Sequence, residues 1–299
     1  MRQIFFLIIL VCLLPFESKA QGCSDAGACS IGDIGMSESS NNADLNTIQL
    51  GLNYGLGMEN TAVSGISLSY SRLINDNFRP GIKVNYSYTN GDLGTNSGFG
   101  DIFINLDYFF IRENDNQLSA TAAFKAPLSD ASASDDGSPL PMVYQTSLGT
   151  YDLIAGMSYS TGGWTFNLAW QQPVGNDNRN MFFPSQDSLF PATNSFERKA
   201  DVLLRISREF DISPKLKLRP GVLPIYHIAN DEYTDMDGEV KEIDGSEGLT
   251  LNANIFVEYT LGVSSSLIFS AGSPIIARET IPDGLLRNFA AGVNYIYNF

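Results

Sequence analysis

Few residues in this sequence can do chemistry. It holds one histidine, His227, and three cysteines, Cys12, Cys23 and Cys29. A lone imidazole removes multi-histidine metal sites, and the cysteines left after export processing are too few for a zinc site. A hydrolase built on His227 would need a serine and an orienting acid or amide in hydrogen-bond reach. No Gly-x-Ser-x-Gly turn is present to expose such a serine. We therefore assign no catalytic residue, no cofactor and no metal. Asp235-Met236-Asp237-Gly238 has the spacing of part of a calcium loop, but Tyr233 stands at the first ligand position. The acidic stretch Asn230–Glu247 is read as a solvated loop that binds divalent cations weakly and shares them with lipopolysaccharide. The remaining candidates are Lys83, Asp107, Lys125, Asp152, Arg205, Lys217, Arg219 and Glu258, each flanked on both sides by apolar residues.

A charge between two apolar neighbours belongs to a strand, where successive side chains point to opposite faces. Thr47–Leu56 reads TIQLGLNYGL, with Ile48, Leu50, Leu52, Tyr54 and Leu56 alternating against Gln49, Gly51, Asn53 and Gly55. Comparable alternation recurs to the end of the chain, where Phe289, Ala291, Val293, Tyr295, Tyr297 and Phe299 form the last apolar face. The opposite faces carry Ser, Thr, Asn, Gln and Gly, with few charges. Only 17% of the residues are Asp, Glu, Lys or Arg, below the roughly 25% usual in soluble proteins.

A sandwich of two sheets alternates too, but its solvated faces carry Lys and Glu. Here aromatic residues such as Tyr54, Tyr88, Trp164, Trp170 and Tyr259 sit at the ends of the apolar faces, as interfacial girdles require. Short connections such as Leu73–Arg79 and Ser160–Gly163 alternate with others that include the long Pro127–Leu148, Gln172–Glu197, Ala229–Gly248 and Gly272–Asn288. The expected fold is all-β: a transmembrane antiparallel up-and-down β-barrel of about twelve strands, with short periplasmic turns, longer outer loops and no exposed edge.

The N-terminus fits an export signal. Arg2 precedes the apolar run Ile4–Phe16, and Ser18 and Ala20 stand at the −3 and −1 positions of a cleavage site. Residues 1–20 are a signal peptide, 21–46 a flexible periplasmic segment and 47–299 the barrel. A lipoprotein signal ending at Cys23 is the alternative, and it lacks the leucine three residues before the cysteine. A plug reaching into the lumen is the alternative for 21–46, whose Gly/Ser/Asn-rich composition favours a tether. Cys23 and Cys29 are a candidate local disulfide or two unpaired thiols. Cleavage removes Arg2, Lys19 and Glu17, taking the net charge from −15 to −16. Such an acidic chain is unsuited to nucleic acid.

Alternation points the eight charged candidates into the lumen, where they contact a small-molecule solute. A turn centred near Ile212 would put Arg205 opposite Arg219, roughly 18 Å above that turn. Those cations either form a constriction that favours anions, or pair with Asp107, Asp152 and Glu258 in an ion-pair lattice that stiffens the barrel.

Gly98-Phe99-Gly100-Asp101 opens the fourth strand, and the fifth ends Phe124-Lys125-Ala126-Pro127. This block resembles the outer-membrane family associated with the meta-pathway of phenol degradation, whose members show a Gly-[Leu/Phe]-Gly-Asp strand start and a Lys-x-Pro exit. The resemblance implies a channel for small hydrophobic compounds in the outer membrane of a Gram-negative cell. The terminal Phe299, with Tyr297 and Tyr295 on its face, is similar to the signal read by the barrel assembly machinery. The expected protein is thus a monomer with outer-membrane lipids, that machinery and a small solute as partners. It is not an enzyme and passes small molecules passively. The rivals are a structural or surface-interaction barrel with a closed lumen, and a membrane lipid hydrolase.

Overall fold

A computed structural model describes residues 46–57, 59–113, 116–186, 188–283 and 289–299. The signal peptide, the 21–45 segment and both cysteines of the candidate disulfide lie outside the described residues. Five strands lead: β1 (Asn46–Leu56), β2 (Ala62–Arg72), β3 (Phe78–Gly91), β4 (Gly94–Glu113) and β5 (Asn116–Pro127). After a small hairpin, β6 (Ser134–Asp135) and β7 (Ser138–Pro139), come β8 (Thr150–Thr161), β9 (Trp164–Asn176), β10 (Asp201–Arg208), β11 (Phe210–Ser213) and β12 (Leu216–His227). A second hairpin, β13 (Glu232–Thr234) and β14 (Val240–Glu242), precedes β15 (Gly248–Thr260), β16 (Ser265–Ile276) and β17 (Phe289–Asn298).

All neighbours in the main sheet run antiparallel, and β1 pairs with β17 from Thr47 opposite Asn298 to Leu56 opposite Phe289. The sheet is therefore a closed barrel. The seam is tied at its end by Asn46 N donating to Phe299 O at 3.0 Å and Phe299 N donating to Asn46 O at 2.9 Å. The short β10 and β11 are two parts of one wall strand, both paired to β12, so the wall has twelve strands.

Alternation places the apolar residues outside. Leu52 is 56% exposed and Ile104 55%, which no layer packed against this sheet would allow. Hydrocarbon is the solvent such a surface needs, and closure leaves no unpaired strand edge within it. Tyr70, Tyr108, Tyr159, Trp164, Tyr259 and Tyr297 ring the end that carries both barrel termini. Tyr54, Tyr88, Tyr151, Trp170 and Tyr226 ring the other. The fold and its apolar belt are those of a bacterial outer-membrane barrel, with the short turns at the periplasmic end.

At the outer end, the connections at 57–61 and 92–93 are as short as the periplasmic turns. The long outer loops are 128–149, 177–200, 228–247 and 277–288. They gather over one side of the mouth.

Candidate functional site

The lumen has two unlike halves. Along one side, β1, β2, β3, β16 and β17 present a run of small or amide inward residues: Gly51, Asn53, Gly65, Ser67, Asn85, Ser270, Gly292 and Asn294. Asparagines stand directly opposite glycines, Asn53 against Gly65 and Asn294 against Gly51. A Cβ on Gly65 would lie 2.3 Å from Asn53 Oδ1, and one on Gly51 2.5 Å from Asn294 Oδ1. Glycine thus lets each amide lie flat along the wall instead of crossing the lumen. The result is a cavity of about 230 Å³ that also reaches Lys83, Asp101, Arg205, Asn252, Asn254 and Asp283. The opposite half is filled by Phe103, Ala123, Ile154, Leu203, Leu223 and Ile225, packed as a core.

The loop 128–149 roofs this cavity. Its single 3-10 turn, Met142–Tyr144, is buried, and Tyr144 is fully enclosed. Leu93 N donates to the Tyr144 hydroxyl, and Asn96 Nδ2 donates to Tyr144 O at 2.9 Å. Val143 and Tyr144 pack with Val63, Leu140, Phe182 and Phe190, which joins the loops 128–149 and 177–200 over the mouth. The loop docks on Gly98-Phe99-Gly100-Asp101. Thr146 Oγ1 donates to Phe99 O at 3.0 Å, Ser147 Oγ to Asp101 Oδ1 at 2.6 Å, and Leu128 N to Gly100 O at 2.9 Å. A Cβ on Gly100 would meet Thr146 O at 2.5 Å, so that glycine is required by the close approach of the loop backbone.

Beside the lid lies a buried ionic network. Lys125 and Asp152 face each other across β5 and β8, 2.9 Å apart, with no exposed side-chain surface. Gln171 donates to the same Asp152 oxygen. Arg198, from the loop 177–200, pairs with Asp201 and, at 2.9 Å, with Asp283 of the loop 277–288. Arg278 binds Asp283 at 2.8 Å and donates to Ser246 O at 2.5 Å. His227 ends β12 between Asp201, 2.7 Å from Nδ1, and Asp231, 2.8 Å from Nε2. One connected set of charges therefore ties three outer loops to the wall. Burial works against the Arg198 charge, yet Asp201 and Asp283 hold its guanidinium well above the usual range. Burial pushes Asp283 up, but Arg278 and Arg198 outweigh it and hold its carboxyl well below the ordinary value. At Asp231 burial is the larger effect and raises the carboxyl, despite the bond from His227 and the charge of Arg278.

With both carboxylates ionised, the two ring nitrogens of His227 both donate, which favours the imidazolium. Neither nitrogen is open to take a proton from a serine. His227 thus belongs to the buried ionic network, with both ring nitrogens turned to carboxylates and neither to a serine.

Among the expected lumen residues, Lys83 and Arg205 line the cavity, while Lys125 and Asp152 lie in the buried network. Asp107 sits in the periplasmic half, accepting from Thr121 at 2.6 Å and Asn105 at 3.2 Å. Lys217 and Arg219 both bind Glu209, at 2.8 and 3.0 Å, and Arg219 also reaches Glu258 at 3.5 Å near the inner mouth. The expected Arg205–Arg219 pair does not form. Ile206 pairs with Val222 and Asp211 with Lys217, which moves the turn toward the C-terminus and sets Arg205 beside Leu223. Arg205 instead lies over the Phe256 ring, 5.6 Å from its centroid.

The loop 230–247 is not wholly solvated, because Asp231, Ile243 and Ser246 are buried in the lid. Asp235 Oδ1 accepts from the backbone of Asp237 and Glu239, so that carboxylate shapes a turn. Alternation did not reveal Arg198, Asp201, Asp231, Arg278 and Asp283. Most stand in loops, where no period says which way a side chain points. Asp201, opposite Gln171 at a strand start, was the one with a readable signal.

No protein-family profile matches the sequence, and no curated protein is similar to it. Solved structures are similar in fold. The COG4313 outer membrane channel from Pseudomonas putida F1 superposes with a TM-score of 0.62 at 15% identity, covering 88% of this chain and 98% of its own. The NanC porin gives 0.50 at 7% identity, covering 84% of this chain and 100% of its own. At these identities the likeness shows a shared outer-membrane barrel fold.

Proposed function

We propose that the barrel is a passive channel for small molecules, whose solute occupies the cavity beneath the lid. The observation that carries this is the open half of the lumen, kept clear by glycines opposed to flat asparagines. Its similarity in fold to an outer membrane channel supports the same reading. The resemblance to the phenol meta-pathway family is part of this proposal. It is supported by the motif residues Phe99, Gly100 and Asp101, which bind the lid. Of the two solute classes expected from the sequence, a hydrophobic one is favoured by Val63, Met142 and Val143 under the lid, and an anionic one by Lys83 and Arg205. We place the chain in the membrane as a monomer, processed after Ala20 and delivered by the assembly machinery through Phe299.

The rival is a closed structural barrel, and the buried lid and its ionic network favour it. Planar-bilayer conductance separates the two. The native barrel should conduct weakly, and Gly100→Val, whose side chain displaces Thr146, should raise conductance severalfold. Absence of conductance and of solute flux in both proteins would leave the closed barrel standing.

A further inference from the structure

The cavity wall itself indicates what it accepts. Asn252 on β15 is 5% exposed, and neither its amide nitrogen nor its amide oxygen has a partner. A buried amide left this way costs about 1–3 kcal/mol, so the group needs a ligand or ordered water. It lines the cavity beside Asn254, whose oxygen is unpartnered too. Ser67, Ser87 and Ser270 add hydroxyls along the same cavity. The charges there are held by the protein itself: Asp283 by Arg198 and Arg278, Asp101 by Ser147, and Arg205 over the Phe256 ring. That leaves the neutral amides and hydroxyls as the groups open to a solute. The amides and hydroxyls would be left unpaired by a hydrocarbon.

We infer that the cavity binds a small neutral polyhydroxylated solute, of monosaccharide size, through Asn252 and Asn254. An amide offers a donor and an acceptor side by side, and adjacent hydroxyls match both at once. The inference rests on the channel reading and replaces the two solute classes considered there with a third.

The test uses the full-length barrel in liposomes and planar bilayers, with glucose, gluconate and glucosamine as probes matched in size and differing in charge. Glucose should enter faster than both charged analogues and should modulate the single-channel current. Asn252→Leu keeps the branched shape and removes both hydrogen-bonding atoms. It should weaken the glucose effect about tenfold, as expected for loss of one or two hydrogen bonds. Asn252→Ala should show the same loss and serves if the leucine variant fails to assemble. Ion conductance without a glucose preference, or a preference untouched by both variants, overturns the inference and leaves the channel intact. Absence of any conductance or flux overturns the channel and the inference with it.

Discussion

Replacing Arg198 with methionine tests whether the ionic network latches the lid. The guanidinium is 2% exposed and joins Asp201 to Asp283. Removing one partner of a buried pair costs about 3–5 kcal/mol, because the other charge stays buried without compensation. Asp201 would keep His227 and Asp283 would keep Arg278, so the lower end, about 3 kcal/mol, applies. No wall hydrogen bond depends on Arg198, so the loss falls on local opening of the lid rather than on the barrel. At 1.4 kcal/mol per tenfold, the open population rises about a hundredfold. Hydrogen exchange reads this directly. Glu197 N bonds Glu232 O at 2.8 Å and Ile228 N bonds Ala200 O at 2.9 Å, both across the lid. Protection at these amides should fall by about 3 kcal/mol, while Leu52 in the wall stays unchanged. Lys199→Met is the control. Lys199 is 25% exposed in its pairs with Glu197 and Glu232, and such half-open pairs contribute about 1 kcal/mol at most. Unchanged protection in Arg198→Met, or an equal loss in Lys199→Met, would refute the latch.

Two further outcomes follow from the same structure. Leu52→Arg puts a cation on the lipid face at mid-strand and should destabilise the barrel by about 2–4 kcal/mol in denaturant unfolding from vesicles, with Ser67→Arg on the lumen face costing much less. With Asp201 and Asp231 ionised, the bonds from His227 are made by the charged ring, so their contribution is present above the titration of the aspartates and is lost as pH rises through that of the ring. Exchange at Ile228 should therefore accelerate on the alkaline side beyond its intrinsic rate, and His227→Gln should abolish that extra dependence.

The barrel was legible because its cause is local. Each apolar face, from Ile48 in β1 to Tyr297 in β17, answers to hydrocarbon and needs no knowledge of any other segment. In the structure Lys83 and Arg205 line the cavity, and Lys125 and Asp152 are buried. Parity does not set register. The turn after β11 lies further along the chain than its residue types suggested, so Arg205 met Leu223 instead of Arg219. Inward apolar residues such as Phe103, Ile154 and Leu203 also broke the expectation of a wholly polar lumen, because half of that lumen is packed like a core.

Strand number and the outward apolar belt are therefore readings of the sequence alone, since each depends on neighbours within a few residues. The lid and its latch were decided by the tertiary structure. Lys125, Asp152, Arg198, Asp201, His227, Asp231, Arg278 and Asp283 come from separate strands and loops, and closure of the barrel buries them together with their charges paired. Burial makes those charges matter, and burial is a property of the closed mouth that no single loop carries.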